Sequence, residues 1–129
     1  MPASRRFLVS ACLAILLLTG NSIGAAEAAD PPSSFSKCKA CHTYEDGGAN
    51  RVGPNLWGVA GGPAGAKDGF RYSKAMKEAA DGGLVWDDAS LDAFLEKPRS
   101  FMKGTKMGFP GMKDDGDRAE MIEFLKSLN

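Results

Sequence analysis

The stretch KCKACHT, residues 37–43, sets Cys38, Cys41 and the chain's only histidine, His42, within five positions. Two thiols three residues apart at the end of a helix lie on one side of it, and such a pair can add across the two vinyl groups of one porphyrin edge. The next side chain, His42, is then carried beneath the ring centre, where an imidazole binds iron. C-x-x-C-H is the signature of this covalent haem attachment. Two other uses of the thiols stay open. A zinc site takes about four ligands, so Cys38, Cys41 and His42 would have to recruit a carboxylate. A redox dithiol of the thioredoxin kind belongs in a βαβ pattern, and no strand is readable ahead of Cys38.

The rest of the chain bounds what such a site can serve. Of its 129 residues, 1–28 read as a secretory signal: Arg5 and Arg6, the apolar run FLVSACLAILLL over 7–18, then Ala26-Glu27-Ala28 as an A-x-A cleavage site. The run is too short for a bilayer, which takes roughly 20 residues. An uncleaved anchor extended to Ile23 would bury Gly20 and Asn21 in lipid. The residues around Cys12 superficially resemble a lipoprotein box, but most of the apolar run follows Cys12, and it is read as a signal residue without function. Cleavage near Ala28 removes Arg5, Arg6 and Glu27, leaving 14 basic and 15 acidic side chains. That near-neutral balance argues against a nucleic-acid protein, which is usually clearly basic. Residues 29–129 make one domain near the lower end of what holds a core unaided.

Periodicity predicts an all-α fold of about four short helices and long loops. Asp30 before Pro31 and Pro32 predicts a first helix running to about Ala40. Ser73 caps a second through Ala80, stopped at Gly82 and Gly83. Asp87 or Asp88 caps a third, with Leu91, Phe94 and Leu95 on one face and Pro98 at its end. Asp115 or Asp117 starts a fourth that runs nearly to Asn129 and turns Met121, Ile122, Phe124, Leu125 and Leu128 inward. Between Thr43 and Tyr72 eight glycines break every periodic pattern and apolar residues are sparse, so the interior needs something besides side chains to fill it.

Beyond the haem motif come Val52-Gly53-Pro54-Asn55-Leu56, Gly69-Phe70-Arg71-Tyr72, Trp86, Leu95-Glu96-Lys97-Pro98 and Gly104-Thr105-Lys106-Met107-Gly108-Phe109-Pro110-Gly111. In this order the chain resembles class I cytochrome c, of the mitochondrial and bacterial c2 or c550 type, over nearly all of residues 34–129. The resemblance implies one haem c held through Cys38 and Cys41, with His42 and Met107 as the iron ligands. It implies that the Pro54 carbonyl accepts the His42 Nδ1–H, that Tyr72 and Trp86 hydrogen-bond a haem propionate, and that Phe109 closes the pocket. Met121, Phe124 and Leu125 would pack across the first helix. Four positions depart from the family pattern. Phe94 stands where a tyrosine often reaches the methionine sulfur, Gly62 where an arginine often lies near a propionate, and Met76 where an asparagine is frequent. Ser34 stands where a packing phenylalanine is usual, with Phe35 as its substitute.

The implied job is electron transfer rather than enzymatic turnover. An iron with both axial positions filled by protein has no open site for a substrate, and a thioether ligand raises the potential. The alternatives are a haem subunit docked to a dehydrogenase, and a peroxidase or gas binder that acts once Met107 lets go. Lys37, Arg51, Arg99, Lys106 and Lys113 match family positions around the exposed haem edge. Asp87, Asp88, Asp92, Asp115, Asp117, Glu120 and Glu123 gather on later helical segments. Such a dipole would steer a monomeric periplasmic carrier to acidic faces of its partners: quinol–cytochrome c reductase, a terminal oxidase, a photosynthetic reaction centre or a periplasmic dehydrogenase.

Overall fold

The chain enters its first helix later than the Asp30-Pro31-Pro32 signal predicts. A residue that precedes a proline is pushed out of the helical region, and both Asp30 and Pro31 do so. In the computed structural model, which describes residues 28–129, Pro32 is still extended and caps nothing with a side chain. A 3-10 turn over Ser33–Phe35 leads into α1, Ser36–Lys39. Cys12 and all but Ala28 of the expected signal lie outside the described residues.

The second helix, α2 (Lys74–Asp81), starts where expected: the Ser73 hydroxyl accepts the Met76 N–H at 3.1 Å. It stops because Gly83, at φ +84°, lets the backbone turn back, with Gly83 N–H bonded to Ala80 O and Leu84 N–H to Ala79 O. Asp87 caps α3 (Asp88–Glu96) by accepting the Ser90 N–H at 2.8 Å. Pro98 follows the end of α3 but also opens a further helix, α4 (Pro98–Phe101), which the sequence reading lacks. Proline is tolerated there because the N–H it lacks would have no partner in a first turn. The last helix, α5 (Asp115–Ser127), is capped by Asp114 rather than by Asp115 or Asp117; Asp114 Oδ1 accepts the Asp117 N–H at 2.9 Å. The fold is all-α, with five short helices and a 3-10 turn in place of about four helices. Among the described residues the extended backbone pairs in an isolated antiparallel bridge, Pro63 to Val85.

The core lies where α5 crosses α3 and the 3-10 turn. From α5 it takes Met121, Ile122, Phe124 and Leu125, from α3 Leu91, Phe94 and Leu95, and from the turn Phe35, which is fully buried. Phe35 stands edge-on to Tyr44 and to Phe124, with centroids 5.0 and 4.7 Å away. The packing phenylalanine is thus one place later than Ser34. Removing such a side chain from water stabilises the fold by about 1.5–3 kcal/mol.

The long connection from α1 to α2 is organised by a buried amide instead of by secondary structure. Asn55 gives its Nδ2 protons to Thr43 Oγ1 at 2.8 Å and Glu45 O at 3.0 Å, while its Oδ1 accepts the Trp57 N–H at 3.0 Å. Its own N–H goes to Asn50 Oδ1. A buried amide satisfied at both ends fixes the loop that a glycine-rich sequence leaves free. Together with the 102–113 segment, this loop encloses a cavity beside the core.

Candidate haem site

One further turn of chain beyond α1 builds the motif. The N–H groups of Cys41 and His42 both donate to Cys38 O, at 3.0 and 2.9 Å, which winds the two cysteines onto one side. The two sulfurs are free thiols, not joined to each other. Burial pushes the Cys38 thiol above its ordinary range, Cys41 adds to the rise, and Lys37 opposes it.

His42 is held by the strand of loop that runs past it. Gly53 donates its N–H to Cys41 O at 2.8 Å, and this pins it so close to the imidazole that a β-carbon there would strike the ring. The next carbonyl, Pro54 O, lies 2.7 Å from His42 Nδ1. A carbonyl can only accept, so Nδ1 carries the proton and Nε2 keeps its lone pair. Burial lowers the His42 pKa and the Pro54 bond opposes that, leaving a neutral imidazole suited to binding a metal.

Cys38, Cys41, His42, Pro54, Tyr72, Trp86, Met107 and Phe109 all line the same cavity of about 850 Å³. Its remaining wall is largely apolar, with Leu91, Leu95 and Leu125 among its members. The Tyr72 hydroxyl oxygen accepts the Lys67 N–H at 3.1 Å, so its own proton is free to be donated. Burial raises the Tyr72 pKa, with that bond opposing. Trp86 is buried, its backbone clamped to Gly61 and Gly62, and its indole N–H has no protein partner among the described residues. Of the methionines, Met76, Met107 and Met121 reach the cavity, whereas Met102 and Met112 are buried in the core away from it. Gly62 and Phe94 line it too, and Phe94 packs against Trp86 at 4.9 Å.

The basic residues divide. Lys37 and Lys106 are exposed yet line the cavity, as does Val52 at 78% exposure, so these three mark its rim. Arg51 sits beside Val52 with its guanidinium on Lys39 O. Arg99 and Lys113 are exposed and do not line the cavity. Lys67 does line it, with no signal in the sequence that singles it out. The acidic residues of α3 and α5 are away from the lining and partly neutralised: Asp92 and Asp115 pair with Arg118, Asp88 and Glu123 with Lys126.

A flat, mostly apolar prosthetic group with two attachment points fits this arrangement. The cavity presents two unpaired thiols, one imidazole nitrogen with a free lone pair and the thioethers of Met76, Met107 and Met121, among walls that offer little to a polar ligand. Zinc fits less well, because among the described residues no carboxylate joins Cys38, Cys41 and His42 in a metal-binding cluster. The βαβ setting of a redox dithiol is likewise missing among the described residues.

A family profile described as Cytochrome c matches residues 29–129. The chain belongs to the cytochrome c family. It is 46% identical over 98 residues to a cytochrome c homolog of Bradyrhizobium diazoefficiens, covering 75% of this chain and 52% of that one. It is 40% identical over 112 residues to a cytochrome c2 of Rhodomicrobium vannielii, covering 87% of each. Among solved structures it resembles cytochrome cH from Methylobacterium extorquens at 43% identity and a TM-score of 0.66, covering 73% of this chain and 91% of that one. The chain thus spans about half the length of the first of these relatives and most of the other two. The family is that of class I c-type cytochromes, electron-transfer proteins and not enzymes. Its cofactor is haem c, and Cys38 and Cys41, followed by His42, stand at the spacing by which the family attaches it.

Two structural residues of the cytochrome escaped the sequence reading. Asn55 was visible only as part of a motif. Arg118 had a weak signal, since Asp115 three residues before it is a helical neighbour, but its burial depends on α3 and the 102–113 segment closing over it.

Proposed function

We propose that this cytochrome is a periplasmic carrier of single electrons, with His42 Nε2 and the Met107 sulfur as the axial ligands of its haem iron. The observation that carries the reading is the 2.7 Å bond from His42 Nδ1–H to Pro54 O, made in the cavity that Met107 shares with the two cysteines. Bound haem with both axial positions taken supplies a reversible one-electron couple and leaves no site for a substrate. The protein's part is positional. Pro54 fixes the imidazole tautomer and orientation, which strengthens a metal ligand. Tyr72 donates its free hydroxyl proton and Trp86 its indole N–H to a propionate, while Phe109 closes the pocket. Phe94 brings no hydroxyl, so the methionine sulfur lacks the bond that many relatives of this class would give it.

Export is part of the proposal: residues 1–28 direct secretion and are cleaved near Ala28, leaving 29–129 as a soluble carrier. No helix among the described residues is long and apolar enough to cross a membrane. The rim at Lys37, Val52 and Lys106, with Arg51 beside it and Arg99 and Lys113 further out, is the docking face for a reductase, oxidase, reaction centre or dehydrogenase. The test is production in a host with a cytochrome c maturation system. The expected product is periplasmic, keeps its haem through acid-acetone extraction, titrates as a single reversible one-electron couple and resists carbon monoxide when reduced. Haem that extracts into solvent would sink the attachment, and rapid carbon monoxide binding would sink the ligation.

A further inference from the structure

Arg118 is the one charged side chain buried among the described residues, at 6% exposure. Burying a guanidinium is costly unless its donors are met, and here they are met from three directions. Nε bonds Asp92 of α3 at 2.7 Å, and Nη2 bonds Asp115 in the first turn of α5 at 2.6 Å. Nη1 goes to two backbone carbonyls, Met112 O at 2.8 Å and Lys113 O at 3.1 Å.

Those carbonyls end the loop that bears Met107. The same end is held from α3, where Met112 N–H donates to Leu95 O at 2.8 Å. Beside it Gly111, at φ +111°, lies so near the Glu96 carbonyl that any β-carbon would collide. The middle of the loop has far less to hold it. Lys103, Gly104, Lys106, Gly108 and Pro110 are exposed. Its own bonds are Thr105 N–H to Met102 O at 3.1 Å, Met107 N–H to Thr105 Oγ1 at 3.3 Å, and Lys106 Nζ to Arg71 O at 3.2 Å. Whether Met107 stays in the cavity therefore depends on its stems, and the later stem is tied to α3 by the Met112–Leu95 backbone bond and to both main core helices through the Arg118 side chain.

We propose that Arg118 is a positioning residue for the sixth iron ligand: its bonds to Met112 O and Lys113 O hold the loop in the register that keeps Met107 at the iron. The inference rests on Met107 being that ligand. Its physical basis is that moving the stem strands a buried cation, so the closed loop is favoured by the cost of leaving those donors unmet. Remove the guanidinium, and the loop can lift without that cost, opening the iron to other ligands. Arg118 does not line the cavity and acts only through the stem.

The test uses the ferric holoprotein and reads imidazole affinity together with the sulfur-to-iron charge-transfer band during heating. Arg118→Met should bind imidazole about tenfold more tightly than the parent, the scale expected when bonds to a charged group are lost. Its band should vanish at a lower temperature than its helical signal. Arg118→Lys, which keeps the charge but loses the fork, should fall between. Ile122→Ala cuts the α5 core without touching the guanidinium; it should lower the melting temperature and leave imidazole affinity unchanged. Equal imidazole affinity in Arg118→Met and Ile122→Ala overturns the proposal. Should Arg118→Met fail to assemble, Asp92→Ala, which removes the acceptor of Nε and so loosens the guanidinium, decides by the same comparison. A parent protein with no charge-transfer band refutes the ligation itself, whereas a normal band and an unmoved affinity in Arg118→Met refute the positioning role alone.

Discussion

The Phe35 ring meets that of Phe124 edge-on, centroids 4.7 Å apart, and by that contact the 3-10 turn leading to Cys38 is fastened to the C-terminal helix. Ring pairs in this geometry contribute beyond the area they bury. Because Phe35 also lines the cavity, the contact serves both core and site.

Phe35→Ala should therefore cost about 3–5 kcal/mol, a large part of the stability of a small domain. Phe35→Leu should cost clearly less, since it keeps most of the apolar volume. Denaturant unfolding of the holoprotein measures both. A loss below about 1 kcal/mol for the alanine variant would mean that the turn is not anchored by this ring.

The three methionines of the 102–112 segment should separate by spectrum and stability. Met107→Ala is expected to abolish the ferric sulfur-to-iron band, lower the potential and admit exogenous ligands. Met102 and Met112 are core residues, each 6% exposed, so Met102→Leu and Met112→Leu should keep the band and shift stability by less than about 1.5 kcal/mol, as volume-conserving swaps do. A band lost in either leucine variant would reassign the ligand.

Asp87 predicts a pH dependence that can be assigned to one side chain. The Ser90 N–H it accepts as the cap of α3 holds its carboxyl below the usual carboxylate range. A carboxyl with a lowered folded pKa adds stability above its ordinary pKa, and that stability is lost as pH falls through the ordinary value and then the folded one. Asp87→Asn keeps an acceptor at the cap but cannot titrate. The parent should be the more stable near neutrality, with the difference shrinking below about pH 4. Acid unfolding followed by circular dichroism gives the comparison, and a constant gap across that range would detach Asp87 from the pH response.

Reaction with a negatively charged redox partner should slow as salt rises, because attraction to the rim is screened within about 8 Å at physiological ionic strength. Lys106→Glu should slow association and flatten the salt dependence, since charges at an interface rim act mainly on the on-rate. Glu120→Lys, on exposed α5, should do much less. Stopped-flow rates over a salt series decide, and equal effects of the two reversals would point to apolar docking around Val52.

Legibility from sequence followed the range of the interaction. The Cys38, Cys41, His42 constellation, the Ser73 and Asp87 caps and the apolar face of α5 are settled by residues within a turn of one another, so spacing alone was enough. Local rules misjudged the ends: Asp30 fails because each of the next two residues is a proline, and Pro98 both follows one helix and begins another. Periodicity does not separate Met107 from Met102 and Met112; the Gly104–Gly111 stretch did so through the family resemblance, and the folded chain adds that Met102 and Met112 are buried while Met107 lines the cavity. Lys67, Asn55 and Arg118 acquire their places in the same way, from partners that loops and helices bring together. By itself the sequence determined the chemistry of attachment, since that needs only two thiols and an imidazole on one turn. Tertiary structure alone decided which methionines border the cavity, which cations stand at its rim and that one guanidinium is buried, because burial and long-range hydrogen bonds exist only after the chain has folded.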